Sequence, residues 1–207
     1  MVDNFDKIRS IISADFEAGE DMFFYVFIMR RRKDGQGDSD SCLLHSYLIR
    51  SVVELNKLEP EIKLLSNFYG ARAYISISPK SMKEFQSKML TEIANDMARG
   101  TMRGPSRLTS HISGVLEAKI KRWLIDIDST DAHSAEEVKN IVLSELGELY
   151  EMTTPEFITI PSVSGIHLIL STKFNTLEFK NRLEYRGIAD NVSLHKKSAL
   201  TLLYANL

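Results

Sequence analysis

The sequence predicts an α+β fold in which helices flank a mixed or antiparallel sheet. Strand-like and helix-like segments alternate along most of the chain, but FITIPSV and SGIHLILS follow each other directly across Val163–Gly165. Two strands without a helix between them favour antiparallel pairing, whereas a doubly wound parallel sheet separates its strands by helices. The 207 residues are 43% hydrophobic and 26% charged, which is ordinary for a globular protein that buries a core without disulfides. We therefore expect one domain over residues 1–207.

The first third of the chain alternates helical and strand-like segments. Phe5, Ile8, Ile12 and Phe16 have helical spacing, which predicts an amphipathic helix, and we expect an N-terminal helical appendage at about residues 1–20. MFFYVFIMR is aromatic and β-branched, as buried strands are. A helix is predicted next, ending near Pro60, from apolar residues at Leu43, Leu44, Tyr47, Leu48, Val52 and Leu55. A further short helix is expected to end at Gly70.

After Gly70, the sequence contains clearer signals of where helices and strands begin and end. ARAYISISP alternates like a strand, and Ser81 with Glu84 forms a capping box that opens a helix. Residues 99–120 contain Gly100, Gly104, Pro105 and Gly114, which predict irregular structure. A strand in RWLIDIDSTD follows, and a second capping box at Ser134 and Glu137 predicts another helix. A helix over about residues 175–185 and a last strand, ALTLLYA, complete the series.

The charge and cysteine content exclude several classes of protein. The net charge of −2 does not predict a nucleic-acid binder overall, so any basic surface must be local. One cysteine excludes an internal disulfide framework and an all-cysteine zinc site within one chain. The acidic N-terminus is unlike a signal peptide, and no apolar run approaches the roughly 20 residues that span a bilayer. We expect a cytoplasmic protein with no membrane partner.

Asp126 and Asp128 lie in an apolar run, where a carboxylate is costly unless its charge is compensated. On a strand they share one face, while Ile125 and Ile127 occupy the other. Two carboxylates roughly 6.5–7 Å apart at Cα could converge on one divalent cation or bracket two ions about 3.5–4 Å apart. Oxygen ligands favour Mg²⁺ or Mn²⁺. The alternative is a strand end whose acids are solvated or paired with basic residues.

A second group of polar residues lies at the junction of the two adjacent strands. Gly165 would allow a sharp turn or a close approach of the backbone to a ligand. His167 alternates with Ile166 and Leu168, so it faces away from both. A histidine in this setting is either a hydrogen-bonded core residue or a functional one.

LIDID followed by SGIH resembles the first two motifs of the archaeo-eukaryotic primase and primase–polymerase superfamily. Those motifs are hydrophobic-Asp-hydrophobic-Asp on one strand and a serine shortly before a histidine on a later strand. The usual second motif is Ser-x-His, whereas here two residues separate Ser164 from His167. The third motif, a hydrophobic residue followed by aspartate, is matched in order by Ala189–Asp190.

The resemblance implies an RRM-like core and template-directed nucleotidyl transfer in DNA replication. The implied cofactor is Mg²⁺ or Mn²⁺, and the implied partners are a nucleoside triphosphate and single-stranded or template DNA. Asp126, Asp128 and Asp190 would be the catalytic metal ligands. His167 would contact the phosphates of the nucleotide, with Ser164 and Gly165 beside it.

A basic segment precedes the aspartates, and it contains Arg99, Arg103, Arg107, Lys119, Lys121 and Arg122. It could follow a nucleic-acid backbone, or it could be a solvated loop. Two other functions remain open. LIDIDST also resembles the nucleophile motif of haloacid dehalogenase-like phosphatases, and the fold could belong to a non-catalytic nucleic-acid-binding or assembly module.

Overall fold

The computed structural model describes residues 1–18, 21–32, 42–129, 132–146, 156–195 and 199–206. Along the chain these residues form β1 (Val2–Asp3), α1 (Phe5–Ala18), β2 (Met22–Arg30), β3 (Cys42–Ile49), α2 (Val52–Tyr69), β4 (Arg72–Ser76), β5 (Lys80–Ser81), α3 (Met82–Ala98), α4 (Pro105–Val115), β6 (Trp123–Ile127), α5 (Ala132–Leu146), β7 (Ile158–Pro161), β8 (Ile166–Leu170), α6 (Thr176–Tyr185), β9 (Val192–His195) and β10 (Leu200–Ala205). A single 3₁₀ turn, Ala189–Asn191, precedes β9. Among the described residues, no helix is long and apolar enough to cross a membrane.

The strands form two antiparallel sheets. The first has the order β1-β10-β4-β2-β3, with β5 paired to one end of β2, and the second has the order β7-β8-β6-β9. Every strand pair in both sheets is antiparallel. The prediction of an α+β fold with an antiparallel sheet is confirmed, because FITIPSV and SGIHLILS form the hairpin β7–β8.

Three clusters of buried apolar residues pack the helices against the sheets. One lies between the first sheet and helices α1 and α2, and it also includes Leu124, Ile160 and Ile169 of the second sheet. A second cluster lies between the first sheet and helices α3 and α4. The third packs the outer face of the second sheet against α5 and α6. The two sheets therefore share one core and meet along it.

The N-terminal segment is part of this shared core and does not form an appendage. Phe5, Ile8 and Ile12 are almost completely buried in the first cluster. Strand β1 pairs with β10 at the opposite end of the chain. The helical spacing predicted the helix correctly, but spacing alone does not show what the apolar face packs against.

The prediction of a helix over Leu43–Leu55 is wrong for its first half. Residues Cys42–Ile49 form β3, which pairs with β2, and only then does α2 begin. Leu43 and Leu48 contact the cluster beneath α3 and α4, whereas Leu44 and Tyr47 contact the one beneath α1 and α2. A strand that is covered on both faces does not alternate polar and apolar residues. The adjacent apolar pairs of β3, Leu43–Leu44 and Tyr47–Leu48, are four residues apart, as on one face of a helix.

Two other predicted boundaries also differ from the structure. Helix α2 runs through Pro60 and ends at Gly70, which has the left-handed φ of 55°. The segment that was expected to be irregular contains α4, which begins at Pro105 in the first turn, a position where proline is tolerated. Ser81 does accept a hydrogen bond from the backbone N–H of Glu84, as predicted, but Ser134 lies within α5.

Candidate functional site

A small cleft of about 130 Å³ lies where the second sheet meets the first. The first sheet and the residue after β2 supply one wall, formed by Arg31, Arg72, Tyr74 and Leu202. The second sheet supplies the other wall, formed by Asp126, Asp128, Ser162, Val163, Ser164 and His167. The cleft thus brings together both sequence motifs and two arginines.

The two aspartates lie at the end of the central strand β6. Ile125 and Ile127 are completely buried against α5 and α6, while Asp126 and Asp128 line the cleft, so the predicted division between the two faces is observed. Asp126 is half-buried on the strand, whereas Asp128 follows its last residue and is exposed. The strand register places Asp126 directly opposite His167 in β8.

The imidazole of His167 has a polar partner at each nitrogen. Its Nε2 lies 3.3 Å from Oδ1 of Asp126, and its Nδ1 lies 2.8 Å from Oγ1 of Thr201. His167 is 7% exposed and Thr201 is completely buried. Because Thr201 belongs to β10, this short chain of contacts joins the two sheets at the cleft.

The carboxyl group of Asp126 is held in its ionised form. Burial alone would raise its pKa, but the hydrogen bond from His167 and the charges of His167, His195 and Arg31 outweigh burial and lower the pKa below its ordinary value. Opposite charges and donated hydrogen bonds both favour a carboxylate over the neutral acid. The cleft therefore contains a stable anion beside cationic groups.

Two arginines form the cationic part of the cleft. Arg31 directly follows β2, and Arg72 lies in β4 and is 6% exposed. A guanidinium group offers several donors in a planar arrangement that matches phosphate or carboxylate oxygens. Tyr74 lies beside them, and its hydroxyl is buried without a hydrogen-bond partner among the described residues. No short motif marks these three residues, so the sequence did not identify them.

Gly165 packs against the backbone of β6 and does not line the cleft. A Cβ atom on Gly165 would lie 1.9 Å from the carbonyl oxygen of Ile127 and 3.0 Å from the backbone nitrogen of Ser129. The close approach predicted for this glycine exists, but it is to a neighbouring strand end. It holds the β7–β8 turn, and with it Ser164, beside the aspartates.

Asp190 lies in the 3₁₀ turn and is exposed. The turn is adjacent to the end of β6, because the backbone N–H of Asp128 donates to the carbonyl oxygen of Asn191 at 2.8 Å. Asp190 is nevertheless absent from the cleft lining. Across the described ranges, no group of three or more Asp, Glu, His or Cys side chains could hold a metal ion. The geometry therefore gives no support to Asp190 as a third ligand.

Two of the six basic residues assigned to nucleic acid are bonded to carboxylates of the chain itself. Arg122 is 9% exposed, and its guanidinium donates to Asp15 at 2.6 and 2.5 Å. Arg103 donates to Asp96 and Glu92. This corrects the assignment of Arg122, because a buried, paired guanidinium cannot follow a nucleic-acid backbone. The other members of the set are exposed: Arg99, Arg107, Lys119 and Lys121.

A larger groove of about 620 Å³ lies between α5 and α6, on the outer side of the second sheet. Both of its arginines pair with carboxylates of α5, Arg182 with Glu145 and Arg186 with Glu137. Paired charges of this kind stabilise helix packing and leave less charge for a ligand. We therefore regard the smaller cleft, where the aspartates meet the arginines, as the functional site.

Comparisons of the chain with protein-family models, with curated proteins and with solved structures found no match in any of the three.

Proposed function

We propose that the protein is a metal-dependent nucleotidyltransferase of the primase–polymerase type, which acts on nucleic acid with nucleoside triphosphates. The observation that carries this proposal is the cleft itself, where Asp126 and Asp128 share a small space with Arg31 and Arg72. Carboxylates bind divalent cations and arginines bind phosphate oxygens. A metal–triphosphate complex needs both kinds of group at one place.

The order of elements around the cleft supports the RRM-like part of the proposal. Strands and helices follow as β6-α5-β7-β8-α6-β9, and the sheet order is β7-β8-β6-β9. This is the β-α-β-β-α-β arrangement of ferredoxin-like domains. Asp126 and His167, one residue from each motif, lie on the two central strands, β6 and β8, where they are neighbours.

The residues present fit a magnesium or manganese ion. Mg²⁺ keeps several waters and is usually held by one or two carboxylates together with substrate phosphates, not by a cage of protein ligands. Asp126 and Asp128 supply two such carboxylates, and the depressed pKa of Asp126 keeps it ionised. When bound, the metal would neutralise charge on the transferring phosphoryl group.

The remaining cleft residues have roles that follow from their chemistry. Arg31 and Arg72 would bind the non-transferring phosphates, and His167 would donate a hydrogen bond to a phosphate oxygen. Ser164 lies on the β7–β8 turn at the cleft, where its hydroxyl could support the same group. The cleft volume of about 130 Å³ suits phosphates and a metal ion, since pockets for whole drug-sized ligands are roughly 300–1,000 Å³.

The test is incorporation of labelled nucleotides on a primed template and on single-stranded DNA, with Mg²⁺ or Mn²⁺. We expect metal-dependent incorporation by the wild type and its loss when both Asp126 and Asp128 are replaced by Asn, although the variant folds. Glu184→Gln, on the exposed face of α6, is the control and should keep full activity. Incorporation that survives the double replacement would refute the proposal.

The same assay decides the role of Asp190. Two divalent ions carry four positive charges, and two carboxylates offset only half of them. A third-ligand role for Asp190 predicts that Asp190→Asn abolishes incorporation. Activity unchanged in this variant would remove Asp190 from the site.

A second candidate is a non-catalytic nucleotide- or nucleic-acid-binding module with the same fold. The observation in its favour is that the described residues offer no three-membered group of metal ligands. This function predicts Mn²⁺-dependent nucleotide binding, or binding of single-stranded DNA, without incorporation under any condition. Turnover of a generic phosphomonoester with no incorporation would instead support a phosphatase.

A further inference from the structure

We propose that Thr201 is a positioning residue for His167, and that its hydroxyl holds the imidazole from the other sheet so that the hydrogen-bearing Nε2 faces the cleft. The tautomer can be tested without any ligand, while the consequence for phosphate binding rests on the function proposed above. Thr201 lies on the other sheet from His167 and Asp126, and no sequence motif includes it.

Contacts at both nitrogens restrict the orientation of the His167 imidazole. Nδ1 lies 2.8 Å from Oγ1 of Thr201, and Nε2 lies 3.3 Å from Oδ1 of Asp126. His167 and Thr201 are buried, at 7% and 0% exposure. Both ring nitrogens therefore have fixed partners, and solvent has little access to exchange them.

The partner of Nε2 determines where the proton lies. An ionised carboxylate only accepts hydrogen bonds, and the carboxylate oxygen of Asp126 lies 3.3 Å from Nε2. An unprotonated Nε2 would direct its lone pair at that carboxylate, which is repulsive. Nε2 therefore carries a hydrogen and donates it to Asp126.

The role of Thr201 follows from the other nitrogen. When the ring carries one proton, it is on Nε2, and Nδ1 accepts a hydrogen bond from the hydroxyl of Thr201. When the ring carries two protons, Nδ1–H donates to the same oxygen, because a hydroxyl can both donate and accept. Thr201 thus serves both states without any movement of the ring.

This assignment limits what His167 can do. A nitrogen that bears a hydrogen cannot bind a metal or remove a proton, so Nε2 is neither a metal ligand nor a general base. It is a donor, suited to a phosphate oxygen that comes next to Asp126. Because the donor is oriented from the first sheet, its direction depends on how the two sheets pack.

The experiment reads the ring nitrogens of His167 directly. ¹⁵N NMR of the imidazole shows which nitrogen bears hydrogen, and His167→Gln assigns the signals among the five histidines. We compare Thr201→Val, which has similar size without a hydroxyl, with Thr201→Ser, which retains the hydroxyl. Melting temperature and Mn²⁺-dependent binding of a nucleoside triphosphate are measured on the same samples.

We expect Nε2–H in all three proteins, because Asp126 determines the tautomer. The Nδ1 resonance should change only in Thr201→Val, because there Nδ1 loses the hydroxyl partner that it keeps in Thr201→Ser. Triphosphate affinity should fall about tenfold in Thr201→Val, equivalent to about 1.4 kcal/mol, and should be retained in Thr201→Ser. An Nδ1–H tautomer in the wild type overturns the proposal. So does a Thr201→Val variant that melts lower but keeps both the Nδ1 resonance and the affinity, since that is a purely structural role.

Failure of the proposed function and failure of the positioning role of Thr201 can be told apart. If the wild type binds no triphosphate, the proposed function fails, whereas the nitrogen spectra of the same variants still support or overturn the positioning role. If Thr201→Val does not fold, Thr201→Ala replaces it, and an unchanged Nδ1 resonance in that variant overturns the proposal.

Discussion

Gly165 is the position where the β7–β8 turn comes closest to the aspartate strand. Replacing it with alanine would place a methyl carbon against the backbone carbonyl of Ile127, with 1.9 Å between them. Backbone atoms cannot move aside as the end of a flexible side chain can, so the turn must shift. We expect Gly165→Ala to lower the free energy of unfolding by about 1–3 kcal/mol, the usual cost of overpacking, measured by urea denaturation.

The matched control for this substitution is Gly114→Ala. Gly114 lies in α4, and a Cβ atom there has no neighbour within 4 Å. Alanine in a helix is favoured over glycine by up to about 1 kcal/mol, so this variant should be as stable as the wild type or more so. A Gly165→Ala variant with wild-type stability would show that the turn adapts and that the glycine is not required.

Arg122 shows why a run of basic residues in a sequence does not by itself predict a nucleic-acid-binding surface. Its charge is compensated by Asp15, 107 residues away along the chain, in a buried ion pair that also uses the carbonyl oxygen of Ile77. Counting charges near Arg122 cannot reveal a partner from α1. Burial of a paired charge does not by itself imply large stabilisation, but it does remove the guanidinium from the surface.

Whether a residue of the site could be predicted depends on whether it belongs to a short sequence motif. Asp126 and His167 were identified because each belongs to a short motif on one strand. Arg72 reaches the cleft, and Thr201 reaches His167, only through the pairing of β4 with β10 and the packing of the two sheets. Such contacts between distant segments leave no spacing in the sequence, so half of the cleft was not predictable.

At the scale of elements, the easiest strands to predict were those with a long run of aromatic and β-branched residues, such as β2, or with clear polar–apolar alternation, such as β6. Strand β6 alternates between the aspartate face and the isoleucine face, and its assignment was correct. Strand β9 was missed because it has only four residues, Val192–His195, which is too short for alternation to be distinguished from a loop. Helix α4 was missed because Gly104, Pro105 and Gly114 predict irregular structure more strongly than the two buried residues Leu108 and Ile112 predict a helix.

Helix α2 contains a proline in its interior, at Pro60, on an exposed position. Proline there removes one helical hydrogen bond and crowds the carbonyl of Asn56, one turn earlier. We expect Pro60→Ala to raise the free energy of unfolding by about 1–2 kcal/mol, because the helical gain exceeds the smaller loss from a more flexible unfolded chain. Urea denaturation measures the change.

Pro105→Ala is the comparison for this prediction. Pro105 occupies the first turn of α4, where the missing N–H has no helical partner. Its replacement should leave stability unchanged or lower it by about 0.4–1 kcal/mol. Equal changes in the free energy of unfolding at both positions would show that the effect of a proline does not depend on its position within the helix.

At the scale of the whole molecule, the candidate site exists only where the two sheets are joined. Leu124, Ile160 and Ile169 of the second sheet are buried in the same cluster as α1, α2 and the inner face of the first sheet. Asn4 adds a polar link, since its side-chain amide donates to the carbonyl oxygens of Pro161 in β7 and Leu202 in β10. A shared core of this kind favours unfolding as one cooperative unit.

Asn4 allows that cooperativity to be tested from one end of the chain. Asn4→Ala removes a donor from one buried and one partly buried carbonyl group, and an unsatisfied buried polar group costs about 1–3 kcal/mol. The only tryptophan, Trp123, lies in β6 of the second sheet, so its fluorescence reports that sheet, while far-ultraviolet circular dichroism reports the whole chain. We expect Asn4→Ala to lower both unfolding midpoints equally, and Ser10→Ala, an exposed change in α1, to lower neither. If the tryptophan transition kept its wild-type midpoint while the dichroism transition shifted, the sheets would unfold independently, and a cleft built from both would not be a stable feature of the fold.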